Sequence, residues 1–92
     1  MTKQELIRQV AQKQGITQQT AKRAVNNMLE SVTQTMARDE KVEIRGFGSF
    51  VVKRYDGYTG KNPGTGQPVQ VQPKRLPFFK VGKELKERVN SI

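Results

Sequence analysis

The stretch YDGYTGKNPGTGQPVQVQPKR, from Tyr55 to Arg75, decides how the rest of the chain is read. Its 21 residues hold four Gly and three Pro but only four apolar side chains, Tyr55, Tyr58, Val69 and Val71, too few to bury a core. Val69-Gln70-Val71-Gln72 nevertheless alternates with the period of a strand, and Asn62-Pro63-Gly64-Thr65-Gly66 supplies turn residues midway. Together these features predict a protruding two-stranded ribbon, an arm over about 55–75, rather than a disordered linker.

The flanks of the arm read as sheet. From Lys41 the apolar period is two: Val42 and Ile44 alternate with Glu43 and Arg45, Gly46-Phe47-Gly48 interrupts, and Phe50 to Tyr55 resumes an extended, β-branched run. On the far side Leu76-Pro77-Phe78-Phe79 returns the chain to apolar residues, and Gly82 precedes a short last helix with Leu85 and Val89 four apart. Further upstream the period is helical. Thr2-Lys3-Gln4-Glu5 has capping-box spacing, and Leu6, Ile7, Val10 and Ala11 follow at helical intervals until Gly15 offers a stop. Thr17 caps a longer helix on which Ala21, Val25, Met28, Leu29, Val32 and Met36 recur, ending near Asp39. The expectation is one small α+β domain over 1–92: a helical hairpin over 1–40, sheet and arm over 41–80, and a final helix over 81–92.

Composition removes much chemistry. The 92 residues carry 17 Lys and Arg against 8 Asp and Glu, a formal charge of +9, with no His, Cys or Trp. Disulfides, zinc–thiolate sites, iron–sulfur clusters, thiol nucleophiles and imidazole bases are therefore all absent. No apolar run approaches the roughly 18 residues of a membrane span, and the first residues lack the apolar run of a signal peptide, so a soluble, intracellular protein is expected. So strong a positive charge suits a polyanionic partner. Residues 1–46 hold 8 basic and 5 acidic side chains and residues 47–92 hold 9 and 3, which places the excess on the sheet, arm and last helix.

Any single exposed Lys or Arg is as often merely solvated as functional. Some placements point further. Lys80 and Lys83 are expected at the start of the last helix, and Lys22 and Arg23 in the first turn of the second, where the helix dipole disfavours cations unless a phosphate binds. Lys53, Arg54, Lys61, Lys74 and Arg75 line the arm, and a ribbon of this kind fits a groove of a duplex. Pro63, near the tip among small neighbours, is suited to wedge between base steps, although an isolated turn proline more often only fixes the backbone. Asp39, Glu40 and Glu43 around Lys41 loosely suggest a metal-dependent nuclease. Nothing nearby completes a two-metal site, so they are expected to be solvated charges, with no catalytic residue, metal or cofactor.

Three motifs in order, Gly46-Phe47-Gly48-Ser49-Phe50, Gly60-Lys61-Asn62-Pro63-Gly64-Thr65-Gly66 and Pro77-Phe78-Phe79-Lys80 with Gly82-Lys83-Glu84-Leu85, resemble the bacterial histone-like HU and integration host factor family. The likeness covers the whole chain. Met1-Thr2-Lys3 and the run from Glu43 to Phe50 look more like the β subunit of integration host factor than like HU. The resemblance implies an intertwined dimer in which helices form the base, three-stranded antiparallel sheets a saddle, and two arms embrace the minor groove. It implies that Pro63 intercalates, that Phe47, Phe50 and Phe79 form the dimer core, and that Lys3, Lys80, Lys83 and Lys86 contact phosphates. Arg45 with Glu43 matches positions that read a preferred site, and Lys53, Arg54, Tyr55, Tyr58, Lys61, Asn62, Lys74 and Arg75 would face DNA along the arm. Tyr55, Asp56 and Tyr58 depart from the basic residues that the family carries there.

The expected function is non-catalytic binding and bending of double-stranded DNA, by a homodimer or a heterodimer with a related subunit, in the cytoplasm on the nucleoid. A basic RNA-binding protein is the alternative, though no aromatic cluster for stacking single-stranded bases is present. A protein of anionic membrane surfaces is a weaker one, because that would need cations along one helix with bulky apolar groups opposite, whereas the basic excess lies on the sheet, the arm and a short final helix.

Overall fold

The computed structural model describes residues 1–91; the last residue of the expected C-terminal helix, Ile92, lies outside the described residues. The elements in chain order are α1 (Lys3–Gln14), α2 (Gln18–Ala37), β1 (Val42–Ile44), β2 (Gly48–Tyr55), β3 (Tyr58–Lys61), β4 (Pro68–Val71), β5 (Lys74–Val81) and α3 (Lys83–Asn90). The α+β reading is borne out. Residues 1–35 form one compact unit and the chain from Met36 onward a second.

In the first unit the helix signals act as the local chemistry requires. Thr2 Oγ1 accepts from the Glu5 amide at 3.2 Å, which satisfies one of the free N–H groups of α1. Gly15 ends that helix in the left-handed region, φ 62°, where its lack of a Cβ avoids a steric penalty. Thr17 caps α2 through the Thr20 amide at 3.1 Å. Ile7, Ala11, Ala21 and Val25 bury one another, with Val10 packed against them. The stripe does not stay covered along α2: Met28 is 65% and Leu29 48% exposed.

The second unit holds a three-stranded antiparallel sheet in the order β1-β2-β5 and a two-stranded antiparallel ribbon, β3-β4. In the β2–β5 pair Gly48 faces Val81 and Tyr55 faces Lys74. In the ribbon Tyr58 faces Val71 and Lys61 faces Pro68. The ribbon therefore continues the register of the β2–β5 pair without a slip. The ladder is interrupted at Asp56-Gly57 and Gln72-Pro73, where Pro73 has no N–H to donate.

Paired residues share a face, so the register sorts the sheet into two. One face carries Val42, Ile44, Phe50, Val52, Pro77 and Phe79, with Arg54 and Arg75 at its far end. The Phe79 ring lies 4.9 Å from that of Phe50 and 5.5 Å from that of Phe47, centroid to centroid. Gly48 makes this packing possible, since a Cβ there would collide with the Phe79 ring and the Lys80 carbonyl. Phe47 is still 43% exposed, so the aromatic cluster has no complete cover within one chain.

Candidate nucleic-acid interface

The opposite face of the sheet is where basic residues converge. Register places Glu43, Ser49, Val51, Lys53 and Tyr55 there with Lys74, Leu76, Phe78 and Lys80. Lys53 is seated on an aromatic ring, its Nζ 3.6 Å from the Phe78 centroid. The Lys74 ammonium lies 6.0 Å from the Tyr55 centroid, at the edge of useful cation–π attraction. Lys80 stands opposite Ser49, one rung in from the end of the β2–β5 pair that lies away from the arm.

Arg54 and Arg75 lie on the aromatic side of the sheet, directly opposite each other. Both donate to Asp39: Arg75 Nη1 to Oδ1 at 2.9 Å, and Arg54 Nη2 to Oδ2 in a closer contact. The hydrogen bond from Arg75 is the main cause that lowers the Asp39 carboxyl below its ordinary value of 3.8, and the Arg54 charge adds to it; partial burial pulls the other way. A shallow hollow of about 230 Å³ opens beside this group, lined by Arg54, Tyr55, Asp56, Pro73, Lys74 and Arg75.

At the arm tip residues 62–67 turn the chain. The Asn62 amide donates to Gln67 O at 2.8 Å, the Gly66 amide donates to Asn62 O at 2.7 Å, and Asn62 Oδ1 accepts from the Gly64 amide at 2.8 Å. Asn62 thus builds the turn from its own side chain, and leaves Pro63 and Lys61 exposed beside it. Tyr55 and Tyr58 are 46% and 61% exposed.

The other cations are distributed more widely. Arg45 is exposed in the turn between β1 and β2, and Lys83 and Lys86 stand three apart on α3. Lys3 belongs to the first unit, where its Nζ donates to Asn26 Oδ1 at 2.9 Å. Two expected helix-start placements are corrected. Lys22 and Arg23 lie in the second turn of α2, because Thr17 caps a helix that starts at Gln18 and so uses the first turn before Lys22. Lys80 belongs to β5, where it pairs with Ser49; Lys83 alone opens α3, with Glu87 3.9 Å away.

The acidic residues weighed for a nuclease each meet a cation. Asp39 holds Arg54 and Arg75, Glu40 lies 3.6 Å from Arg38, and Glu43 3.6 Å from Lys41. Among the described residues no group of three or more Asp or Glu is placed to hold a metal ion. Two contributors escape sequence reasoning. Asp39 is no merely solvated charge: an Asp just past a helix end is one of the few residues that settles readily into the left-handed region, and it does so here at φ 63°. Phe78 and Phe79 form one apolar return in the sequence, whereas strict alternation puts the two on opposite faces.

A family model described as bacterial DNA-binding protein matches residues 1–90. The chain is 48% identical over 92 residues to integration host factor subunit beta of Halorhodospira halophila, which covers 99% of this chain and 90% of that one. Among solved structures it is similar to Anabaena HU in a cocrystal with DNA, with a TM-score of 0.86 at 32% identity over 97% of each chain. It is also similar to HU from Thermotoga maritima, with a TM-score of 0.70 at 37% identity over 97% of this chain and 98% of that one.

Proposed function

The chain belongs to the bacterial DNA-binding protein family, and from that premise we propose that it is an architectural, non-catalytic double-stranded DNA-binding protein that acts as a dimer on the nucleoid. The observation that carries this reading is the arm: a hydrogen-bonded ribbon continuing the register of the sheet, with an exposed Pro63 at its tip and exposed cations at its root. A ribbon of two strands enters a DNA groove, and a rigid apolar tip lacking an N–H can wedge stacked base pairs apart without leaving a donor unpaired.

The basic face supplies the affinity. Lys53, Lys74 and Lys80 on the sheet, Lys61 on the arm and Lys83 and Lys86 on α3 neutralise phosphates and release counterions. Lys3 adds a contact from the helical unit. Arg45, on its turn, and Glu43 supply the modest sequence preference. The dimer is a homodimer or pairs the chain with a related subunit, and the half-covered cluster of Phe47, Phe50 and Phe79 is its core. The family match over residues 1–90 supports reading the helical unit and the sheet unit as belonging to one DNA-binding domain.

Competition at fixed salt tests the function: labelled linear duplex is challenged with unlabelled duplex, RNA and anionic vesicles. Intact duplex should compete better than RNA or vesicles, and nicked or four-way-junction DNA better than intact duplex, because less of the bending cost is left to meet. Stronger competition by RNA or by vesicles would replace this reading with the corresponding alternative.

A further inference from the structure

We infer that Asp39 is a positioning residue for DNA bending: its carboxylate gathers Arg54 and Arg75 at the root of the arm and so sets the direction in which the ribbon leaves the sheet. This inference rests on the DNA-bending reading above.

Arg54 and Arg75 form the second-to-last rung of the β2–β5 ladder before the interruption at Gly57 and Pro73. Like charges directly opposite on one sheet face repel and would splay the two strands at the point where the arm begins. Asp39 removes that repulsion by giving one oxygen to each guanidinium. Its own position is held by its amide, which donates to Met36 O at 2.9 Å, and by its left-handed backbone. Arg75 Nη1 also donates to Ala37 O at 3.3 Å, which ties the return strand to the last residue of α2, where a helix end favours a cation. The hydrogen bonds from Arg54 and Arg75 thus run to Ala37 and Asp39, at the end of α2 and just beyond it. Arg54 keeps 69% of its side chain exposed, so its remaining donors still face outward for a phosphate. Exposed pairs of this kind add little to stability, so the expected role is in arm geometry rather than in holding the fold.

Asp39→Asn separates the two roles that charge and position could play. It keeps the shape and the tolerance for a left-handed backbone but raises the net charge of the chain by one. Charge alone then predicts tighter binding and a steeper salt slope, while loss of positioning predicts the opposite for affinity. The chain has no Cys, so Thr65→Cys carries a single spin label at the arm tip of the full-length protein. With Asp39→Asn the label should become more mobile, the energy-transfer distances between the ends of a bent duplex should broaden, and affinity for linear duplex should fall roughly threefold to tenfold. Arg75→Lys, which keeps the charge but loses the guanidinium fork, should reproduce these effects. Unchanged label mobility, with equal or tighter binding, would overturn the inference and leave Asp39 as a mere competitor with phosphate. If the unaltered chain fails to bend duplex DNA, it is the DNA reading that fails, and the label alone decides whether Asp39 restrains the arm.

Discussion

Lys53 rests over the ring of Phe78, its ammonium 3.6 Å from the centroid, so a cation of the basic face is held by an aromatic residue of the neighbouring strand. The two are diagonal neighbours, Lys53 facing Leu76 and Phe78 facing Val51. Such an arrangement stabilises by about 0.5–1 kcal/mol at an exposed site and reduces the freedom of a long side chain before it meets a phosphate. Lys53→Met should make the log–log dependence of affinity on salt shallower by roughly one unit. Phe78→Leu keeps the charge, so it should lower affinity about two- to fivefold with the slope unchanged. Identical salt slopes for the two variants would mean that Lys53 does not reach a phosphate.

The aromatic cluster around Phe79 gives a prediction about assembly. The Phe79 ring packs against those of Phe47 and Phe50, yet Phe47 keeps 43% of its surface exposed in the single chain. Covered by a second chain, the cluster should make folding and dimerisation inseparable, so the melting temperature should rise with protein concentration. Phe79→Ala should destabilise the dimer by about 3 kcal/mol, the cost of a cavity in a closed core. A concentration-independent melt, or a loss under ~1 kcal/mol, would place the cluster outside the interface.

Lys83 and Arg45 should fail in different ways. Lys83 is an exposed ammonium at the start of α3, suited to a phosphate and blind to sequence. Lys83→Ala should weaken all duplexes about equally and reduce the salt slope by roughly one unit. Arg45→Ala should flatten the preference among duplexes more than it lowers mean affinity, as gel shifts on a panel of sequences would show. Equal losses on every sequence would make Arg45 a phosphate contact only.

At the arm tip, Pro63 is exposed in a turn that Asn62 stabilises through its own side chain. Opening a base step costs a few kcal/mol, and nicked or gapped DNA has less of that cost left to meet. Pro63→Ala should therefore weaken binding to intact linear duplex more than to nicked duplex, and reduce the bend measured by energy transfer. Equal weakening with the bend intact would reduce Pro63 to a turn residue.

The Asp39 clamp carries a pH signature. Its folded carboxyl is lowered from the ordinary 3.8, chiefly by the hydrogen bond from Arg75. A lowered folded value means that the clamp contributes fully above the unfolded value and is lost as pH falls through the folded one. Label mobility at the arm tip should thus stay constant from neutral pH down to about 3.8 and rise below it. The Asp39→Asn variant should lack that step; a step of equal size in both would assign it to other carboxylates.

Much of this architecture is legible in local pattern, because the patterns concern neighbours in sequence. Thr2 and Thr17 cap helices through amides three residues on, and Gly15 ends a helix through its own dihedral angle. The arm is legible too, since Val69 and Val71 alternate beside a turn whose hydrogen bonds all lie within residues 62–67. The positions of Lys22, Arg23 and Lys80 are not, because a boundary error of a few residues moves a side chain from one helical turn to the next, or from helix to strand.

By itself, the sequence determined the element order, the arm, the positive surface and the exclusion of thiol and imidazole chemistry, since these follow from composition and from spacings of a few residues. Tertiary structure alone decided which cations share a face. Strand register sends Lys53 and Lys80 to one side of the sheet and Arg54 to the other, although Lys53 and Arg54 are adjacent in sequence. It also brought Asp39 to Arg54 and Arg75, 15 and 36 residues away, a pairing that no local pattern encodes because it exists only once the sheet has closed against the end of α2.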